Sequence, residues 1–102
     1  MRTLSTWIRE CHEASREKGF WDRERNVGEM LMLVVTELGE AIEAHRRGHF
    51  GIGRKDTFED EIADSVIRLF DLSGGLGIDI KKQMEWKMAF NRKRRIRHGK
   101  SY

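Results

Sequence analysis

Residues 26–47 read NVGEMLMLVVTELGEAIEAHRR, and this stretch contains the clearest helical pattern in the chain. Its apolar side chains recur at spacings of three and four residues, as on one face of an α-helix. Asn26 followed by Glu29 is a capping-box pattern, so we expect a helix over residues 27–47. Within it, Glu37 and Glu40 lie on the flank of the apolar face, close to whatever packs against the helix.

The same reasoning predicts three further helices around this one. Periodic apolar residues indicate a helix over residues 3–18, which Gly19 ends, and another over residues 57–73, which Asp56 and Glu59 begin as a second capping box. Asp79 is placed to cap a last helix. Because the chain has no Pro, nothing in it interrupts long helices. The sequence therefore predicts an all-α fold of about four helices.

Length and composition indicate one small domain over residues 1–102. Charged residues make up 36% of the chain, against about 25% in a typical protein. Such a chain either exposes much helix or completes its core by pairing, and we expect a bundle completed by homo-oligomerisation. The net charge is +3, but the C-terminal segment 91–102 alone carries six cations and no acid, which leaves −3 for residues 1–90. The basic character is therefore local.

Cysteine content and hydropathy bear on the cellular setting. The single Cys11 cannot form an internal disulfide and excludes a Cys-based zinc site. The N-terminus has no apolar run of signal-peptide length, and no run of 18 apolar residues occurs anywhere. We therefore expect a cytoplasmic protein without a membrane partner.

Two pairs of acids stand out in the predicted helices: Glu37 with Glu40, and Glu61 with Asp64. Acids three residues apart on a helix are surface neighbours, with Cβ atoms roughly 5–6 Å apart. Facing each other in a cleft, the two pairs would repel and require a cation, and four carboxylates suit Mg²⁺ or Mn²⁺. Facing water, they would be ordinary solvated charges. Solvation is the simpler interpretation for the third predicted helix, where acids and a cation share the side opposite the apolar residues: Glu61, Asp64, Arg68 and Asp71. In a bundle whose neighbouring helix comes from a second chain, that side would instead be covered.

Two other groups of residues are candidates for substrate binding. Lys87, Asn91 and Arg95 are spaced four apart and form one polar stripe on the last helix. This stripe is either a solvated ridge or a site for a polyphosphate chain. Phe20 and Trp21 are adjacent aromatics in a connection, where they either cover helix ends or stack on a flat ligand.

In their order along the chain, these residues resemble a known family. Glu37-Leu-Gly-Glu40, twenty further residues and Glu61-Ile-Ala-Asp64 are similar to the ExxE…ExxD pattern of MazG-like nucleotide pyrophosphohydrolases, in the all-α NTP pyrophosphatase group. The residues on either side of each acid pair are also similar to those of the family. Lys87-x-x-x-Asn91-x-x-x-Arg95 is similar to the tail of many members. The likeness covers roughly residues 20–100.

The resemblance implies a function and a site. Such enzymes hydrolyse (d)NTPs between the α- and β-phosphates to (d)NMP and pyrophosphate, and they are helical dimers or tetramers with substrate near subunit contacts. By position, the catalytic, metal-binding acids would be Glu37, Glu40, Glu61 and Asp64. Lys87, Asn91 and Arg95 would hold phosphates, and Trp21 is the candidate for contacting the nucleoside.

Two alternatives come from other classes of protein. The basic C-terminal segment is compatible with a small helical nucleic-acid-binding module, although no helix carries an exposed run of base-reading polar residues. An inactive oligomeric scaffold is also compatible with the sequence. Divalent-dependent release of pyrophosphate would separate the enzyme from both.

Overall fold

The computed structural model describes residues 1–94 and is helical without strands over that range. Its helices are α1 (Leu4–Glu17), α2 (Val27–Arg46), α3 (Phe58–Gly75) and α4 (Ile80–Lys93). The predicted all-α fold with about four helices is confirmed. Arg95 and the rest of the C-terminal segment lie outside the described residues. No helix within residues 1–94 combines the length and apolar character needed to span a membrane.

The helix ends follow side-chain capping, with one departure from the sequence prediction. Asn26 Oδ1 accepts the backbone N–H of Glu29 at 3.0 Å and starts α2 as predicted. Asp79 likewise caps α4 through the N–H of Lys82. The cap of α3 is Thr57, whose Oγ1 accepts the N–H of Asp60 at 3.1 Å. Asp56, the predicted cap, precedes the helix with φ 63°, where its N–H donates to Asp60 Oδ2 instead.

Helix α3 is central, because both α1 and α2 pack on it. Along α2, Glu37 pairs with Arg68 whereas His45 meets Phe58 further along, so α2 and α3 run antiparallel. Along α1, His12 contacts Asp71 of α3. This arrangement directs the polar side of α3 toward its two neighbours.

On α3, much of the polar side is buried, whereas the sequence predicted that this side is solvated. Glu61, Ser65 and Asp71 are buried, so the prediction that this side is solvated is wrong. Several apolar residues of α3 are exposed instead, namely Ile62, Val66 and Leu69, although Leu72 near its end is buried. Residues of α1 and α2 contact the polar side chains of α3, among them Arg68 and Asp71. Because these side chains have partners, the polar side of α3 can be buried against the two helices.

The hydrophobic core within residues 1–94 is small. Helix α2 buries one stripe against α3 and leaves a second apolar stripe exposed: Leu31, Val35, Leu38 and Ile42. None of the large side chains in the described range is fully buried. Helix α4 is exposed from residue 81 onward, including Met84, Trp86, Met88 and Phe90.

Candidate metal centre

Three of the four motif acids come together where α2 crosses α3. One carboxylate oxygen from each of Glu37, Glu61 and Asp64 lies within 4.8 Å of the others. Glu37 and Glu61 are buried, and Asp64 is half-buried. Glu40 is exposed, and its charge contributes to the raised pKa of both Glu61 and Asp64. The antiparallel packing therefore brings the acids of α2 and α3 together.

Glu61 is the most buried acid of the cluster, at 6% relative exposure. Burial, and after it the neighbouring carboxylates of Glu37 and Glu40, raise the pKa of Glu61 from 4.5 to about 8. Within residues 1–94, its Oε2 has no hydrogen-bond partner. Since buried polar atoms are nearly always paired, an unpaired carboxylate oxygen in an acidic cluster points to a cation as its partner.

Asp64 is held in a similar electrostatic environment. Burial, followed by the charges of Asp60 and Glu37, raises the pKa of Asp64, and the nearby Arg68 opposes that rise. Arg68 lies one turn after Asp64 on α3, and its Nη2 is 3.2 Å from Glu37 Oε1. Arg68 was not predicted as a site residue, although its i+4 spacing from Asp64 was a usable signal.

A second acidic group adjoins the first and shares Glu61 with it. One oxygen from each of Asp56, Asp60 and Glu61 also lies within 4.8 Å of the others. Asp56 is exposed and Asp60 is half-buried. The acidic cluster therefore extends from the α2–α3 crossing toward the connection that precedes α3.

The residues present fit a divalent cation with a preference for oxygen ligands. The cluster contains carboxylates without Cys or His, which is the donor set of Mg²⁺ and Mn²⁺. The unpaired Oε2 of Glu61 supplies an acceptor that the surrounding chain leaves unused. Glu37, Glu40, Glu61 and Asp64 are the residues that would hold the ion.

A cleft of ≈ 230 Å³ opens beside the acids, between α1 and α3. We call it the Arg68 cleft. Glu37 and Asp64 form part of its wall, so it shares two side chains with the acidic cluster. The remaining charged or hydroxyl side chains of its wall are Ser15, Lys18, Arg25, Arg68 and Asp71.

Asp71 organises the far side of this cleft. Its Oδ1 accepts the indole N–H of Trp21 at 2.8 Å and lies 2.9 Å from His12 Nδ1. Its Oδ2 is 3.6 Å from the guanidinium of Arg25. Asp71 therefore links α1, the α1–α2 connection and α3. This role was not predicted from the sequence, where Asp71 was grouped with the solvated charges.

Trp21, the candidate for contacting the nucleoside, has several contacts within the chain. Its ring meets His12 edge-on, and the guanidinium of Arg25 lies 5.3 Å from its centroid. A Cβ added to Gly75 would overlap the ring, so the glycine at the end of α3 is needed for this contact. These contacts give Trp21 a packing role, and stacking on a base stays a prediction.

The predicted phosphate-binding residues lie apart from the acids within the described chain. Lys87 and Asn91 are on the exposed helix α4, and Lys87 Nζ lies 5.0 Å from the ring centroid of Phe90. Helix α4 does not pack extensively on α1, α2 or α3. Arg95 lies outside the described residues. The structure therefore brings the acids together, but within one chain the polar stripe of α4 does not lie beside them.

Comparison of the chain with protein-family models, curated proteins and solved structures found no match. The resemblance to MazG-like pyrophosphohydrolases therefore depends on the motif residues themselves.

The raised pKa of Glu61 predicts a pH-dependent stability. Between pH 4.5 and about 8, the unfolded chain has released this proton while the folded chain keeps it. The free energy of unfolding therefore falls as pH rises through that window. Glu61→Gln removes the ionisation, so in EDTA it should melt above the parent at pH 8, with a difference that shrinks toward pH 5. Each pKa unit corresponds to about 1.4 kcal/mol, or roughly 6–11 °C in a domain of this size.

Thermal unfolding followed by circular dichroism at pH 5, 6.5 and 8 would measure this difference. Glu43→Gln is the matched control, since Glu43 is an exposed glutamate on α2 that pairs with Arg47. An equal gain at pH 5 and pH 8 would mean that Glu61 is not the group responsible.

Proposed function

We propose that this protein is a Mg²⁺-dependent pyrophosphohydrolase that cleaves (d)NTPs between the α- and β-phosphates and releases (d)NMP and pyrophosphate. The observation that carries the proposal is the convergence of Glu37, Glu61 and Asp64 around a buried carboxylate oxygen that has no partner in the described part of the chain. The order and spacing of these acids, with Glu40, resemble those of MazG-like enzymes. Mn²⁺ has the same ligand preference and should substitute for Mg²⁺.

The chemistry requires both positioning and neutralisation of charge. A divalent ion held by the four acids would supply Lewis acidity toward a phosphoryl oxygen and neutralise charge that develops during transfer. The chain supplies the ligands from two antiparallel helices, so their spacing is fixed by rigid packing. An acid not fully engaged as a ligand would orient the attacking water and accept its proton, and exposed Glu40 is the candidate with room for a water beside it.

The proposed enzyme acts as a homodimer or homotetramer. Two apolar stripes support this, since α2 exposes Leu31, Val35, Leu38 and Ile42 and α3 exposes Ile62, Val66 and Leu69. Exposed apolar stripes of this kind are typical of association surfaces. Helix α4 also exposes apolar residues and carries Lys87 and Asn91. A second copy would be the source of these two phosphate-binding residues at the acidic cluster.

A substrate panel tests the proposal directly. The parent protein is incubated with each of the common dNTPs and NTPs in Mg²⁺, and products are separated to distinguish NMP plus pyrophosphate from NDP plus phosphate. We expect NMP and pyrophosphate in equal amounts, and no turnover in EDTA. Absence of pyrophosphate release from every nucleotide would reject the proposal, and release of phosphate alone would place the cleavage at a different bond.

Lys87→Ala should lower kcat/KM for the preferred nucleotide. A charge-assisted contact to phosphate contributes roughly 1.5–3 kcal/mol, so the loss should be on the order of 10- to 100-fold. Lys81→Ala is a suitable control, because Lys81 lies on the same helix and pairs with Glu85. Steady-state kinetics with both variants would make the comparison, and unchanged hydrolysis by Lys87→Ala would remove Lys87 from the proposed substrate site.

A further inference from the structure

Arg68 contacts one of the proposed metal ligands through a single carboxylate oxygen. Its Nε and Nη2 both lie 3.2 Å from a single oxygen, Glu37 Oε1. The strongest arginine–carboxylate pairs instead use two parallel bonds to two oxygens. The Arg68 side chain is 39% exposed while that of Glu37 is 11% exposed. The carboxylate is therefore held in place, and the guanidinium has access to solvent.

The Arg68 cleft offers this guanidinium a second position. Arg68 shares the cleft wall with Lys18 and Arg25, so three cations line a space that adjoins the acids. Ser15 is also part of the wall, at 8% relative exposure, and its Oγ has no hydrogen-bond partner among the residues that the structure describes. Because buried hydroxyls nearly always have partners, this oxygen indicates that the cleft accommodates a polar ligand.

Charge determines which ligand suits the cleft. Of its acids, Asp71 is already engaged by His12, Trp21 and Arg25. Glu37 and Asp64 belong to the acidic cluster, where a divalent cation would neutralise them. With those acids neutralised, Lys18 and Arg68 leave the cleft cationic, and a polyphosphate offers the oxygens that guanidinium, ammonium and hydroxyl groups bind.

We propose that Arg68 is an exchangeable phosphate ligand. It holds Glu37 until a divalent cation takes that carboxylate, and it then binds a phosphate of the substrate in the Arg68 cleft. The inference rests on the proposed function in taking the acidic cluster as the metal site. It adds that the metal competes with Arg68 for Glu37 and, by taking that carboxylate, frees the guanidinium for the polyphosphate.

The exchange predicts opposite effects of one substitution on two ligands. In Arg68→Met, Mn²⁺ no longer competes with a guanidinium for Glu37, so its affinity should rise by roughly 2- to 10-fold, the range expected for a partly exposed charge. Inorganic pyrophosphate measured in saturating Mg²⁺ should bind on the order of 10- to 100-fold more weakly, since a charge-assisted donor is lost. Arg68→Lys keeps the charge and should fall between the parent and Arg68→Met for both ligands.

Mn²⁺ binding is measured by electron paramagnetic resonance and pyrophosphate binding by titration calorimetry, with helix content checked by circular dichroism. Arg47→Met is the matched control, because Arg47 pairs with Glu43 at 2.7 Å outside the cleft, and it should leave both affinities unchanged. If Arg68→Met does not fold, the Arg68→Lys variant makes the same comparison.

Two results would overturn the proposal. Weaker Mn²⁺ binding together with weaker pyrophosphate binding would mean that Arg68 only supports the position of Glu37, and unchanged pyrophosphate binding would remove it from the cleft. A parent protein that binds no Mn²⁺ would overturn the exchange as well. Opposite shifts in a parent that hydrolyses no nucleotide would support the Arg68 exchange while rejecting the proposed hydrolase activity.

Discussion

Asp64→Asn and Glu40→Gln are each expected to abolish Mg²⁺-dependent pyrophosphate release while leaving the helix content unchanged. Each substitution keeps the size of the side chain and removes the negative charge that a divalent cation requires. Charge stabilisation by a metal is worth several kcal/mol, and a loss of about 4 kcal/mol corresponds to roughly 10³-fold in rate. We therefore expect turnover at least that far below the parent in both variants.

The control for this comparison is Glu43→Gln, which neutralises an exposed acid one turn beyond Glu40 on the same helix. It should retain parental turnover. Product analysis, circular dichroism and Mn²⁺ binding on the same preparations separate loss of the metal from loss of the fold. Near-parental turnover in both Asp64→Asn and Glu40→Gln would dismiss the metal-site assignment, whatever the state of the control.

Leu38→Glu is expected to dissociate the oligomer. Leu38 is 44% exposed in the centre of the α2 apolar stripe, which another copy of the chain would cover. A symmetric interface buries the introduced charge twice. An unpaired buried charge costs roughly 3–5 kcal/mol, so the dissociation constant should rise by more than about 100-fold. Val66→Glu, in the exposed stripe of α3, should act in the same direction.

Light scattering coupled to size-exclusion chromatography at micromolar concentration measures the association. Ser5→Glu introduces the same charge at an exposed position of α1 and should leave the molar mass at the parental value. A parental protein that is already monomeric would reject the oligomer. An oligomer that persists in both Leu38→Glu and Val66→Glu would show that its interface lies elsewhere.

Local features of the chain were predictable from the sequence because they depend on neighbouring residues. The position of α2 follows from its apolar period and from the cap at Asn26, and the cap at Asp79 likewise begins α4. The two acid pairs could be assigned to helices for the same reason. The start of α3 was predicted one residue early, because Asp56 and Thr57 are both good caps and only the backbone of the connection selects Thr57.

The inward side of α3 was not predictable in this way. Periodicity identifies which residues share a side of a helix, but it does not say which side meets the rest of the chain. The apolar side was expected to be buried, yet Ile62, Val66 and Leu69 are exposed and Asp71 is buried. The roles of Arg68 and Ser15 were not predicted for the same reason, since each depends on contacts with residues that are distant in sequence.

The sequence by itself determined four helices, the caps that begin α2 and α4, and an ordered set of acids whose spacing suits a divalent cation. Only the tertiary structure decided that the acids of α2 and α3 converge, that Arg68 holds Glu37, and that the apolar stripes remain uncovered. The physical reason is the range of the interactions. Caps and periodicity act within one or two helical turns, whereas the energy of burying a carboxylate depends on partners that antiparallel packing brings from more than twenty residues away.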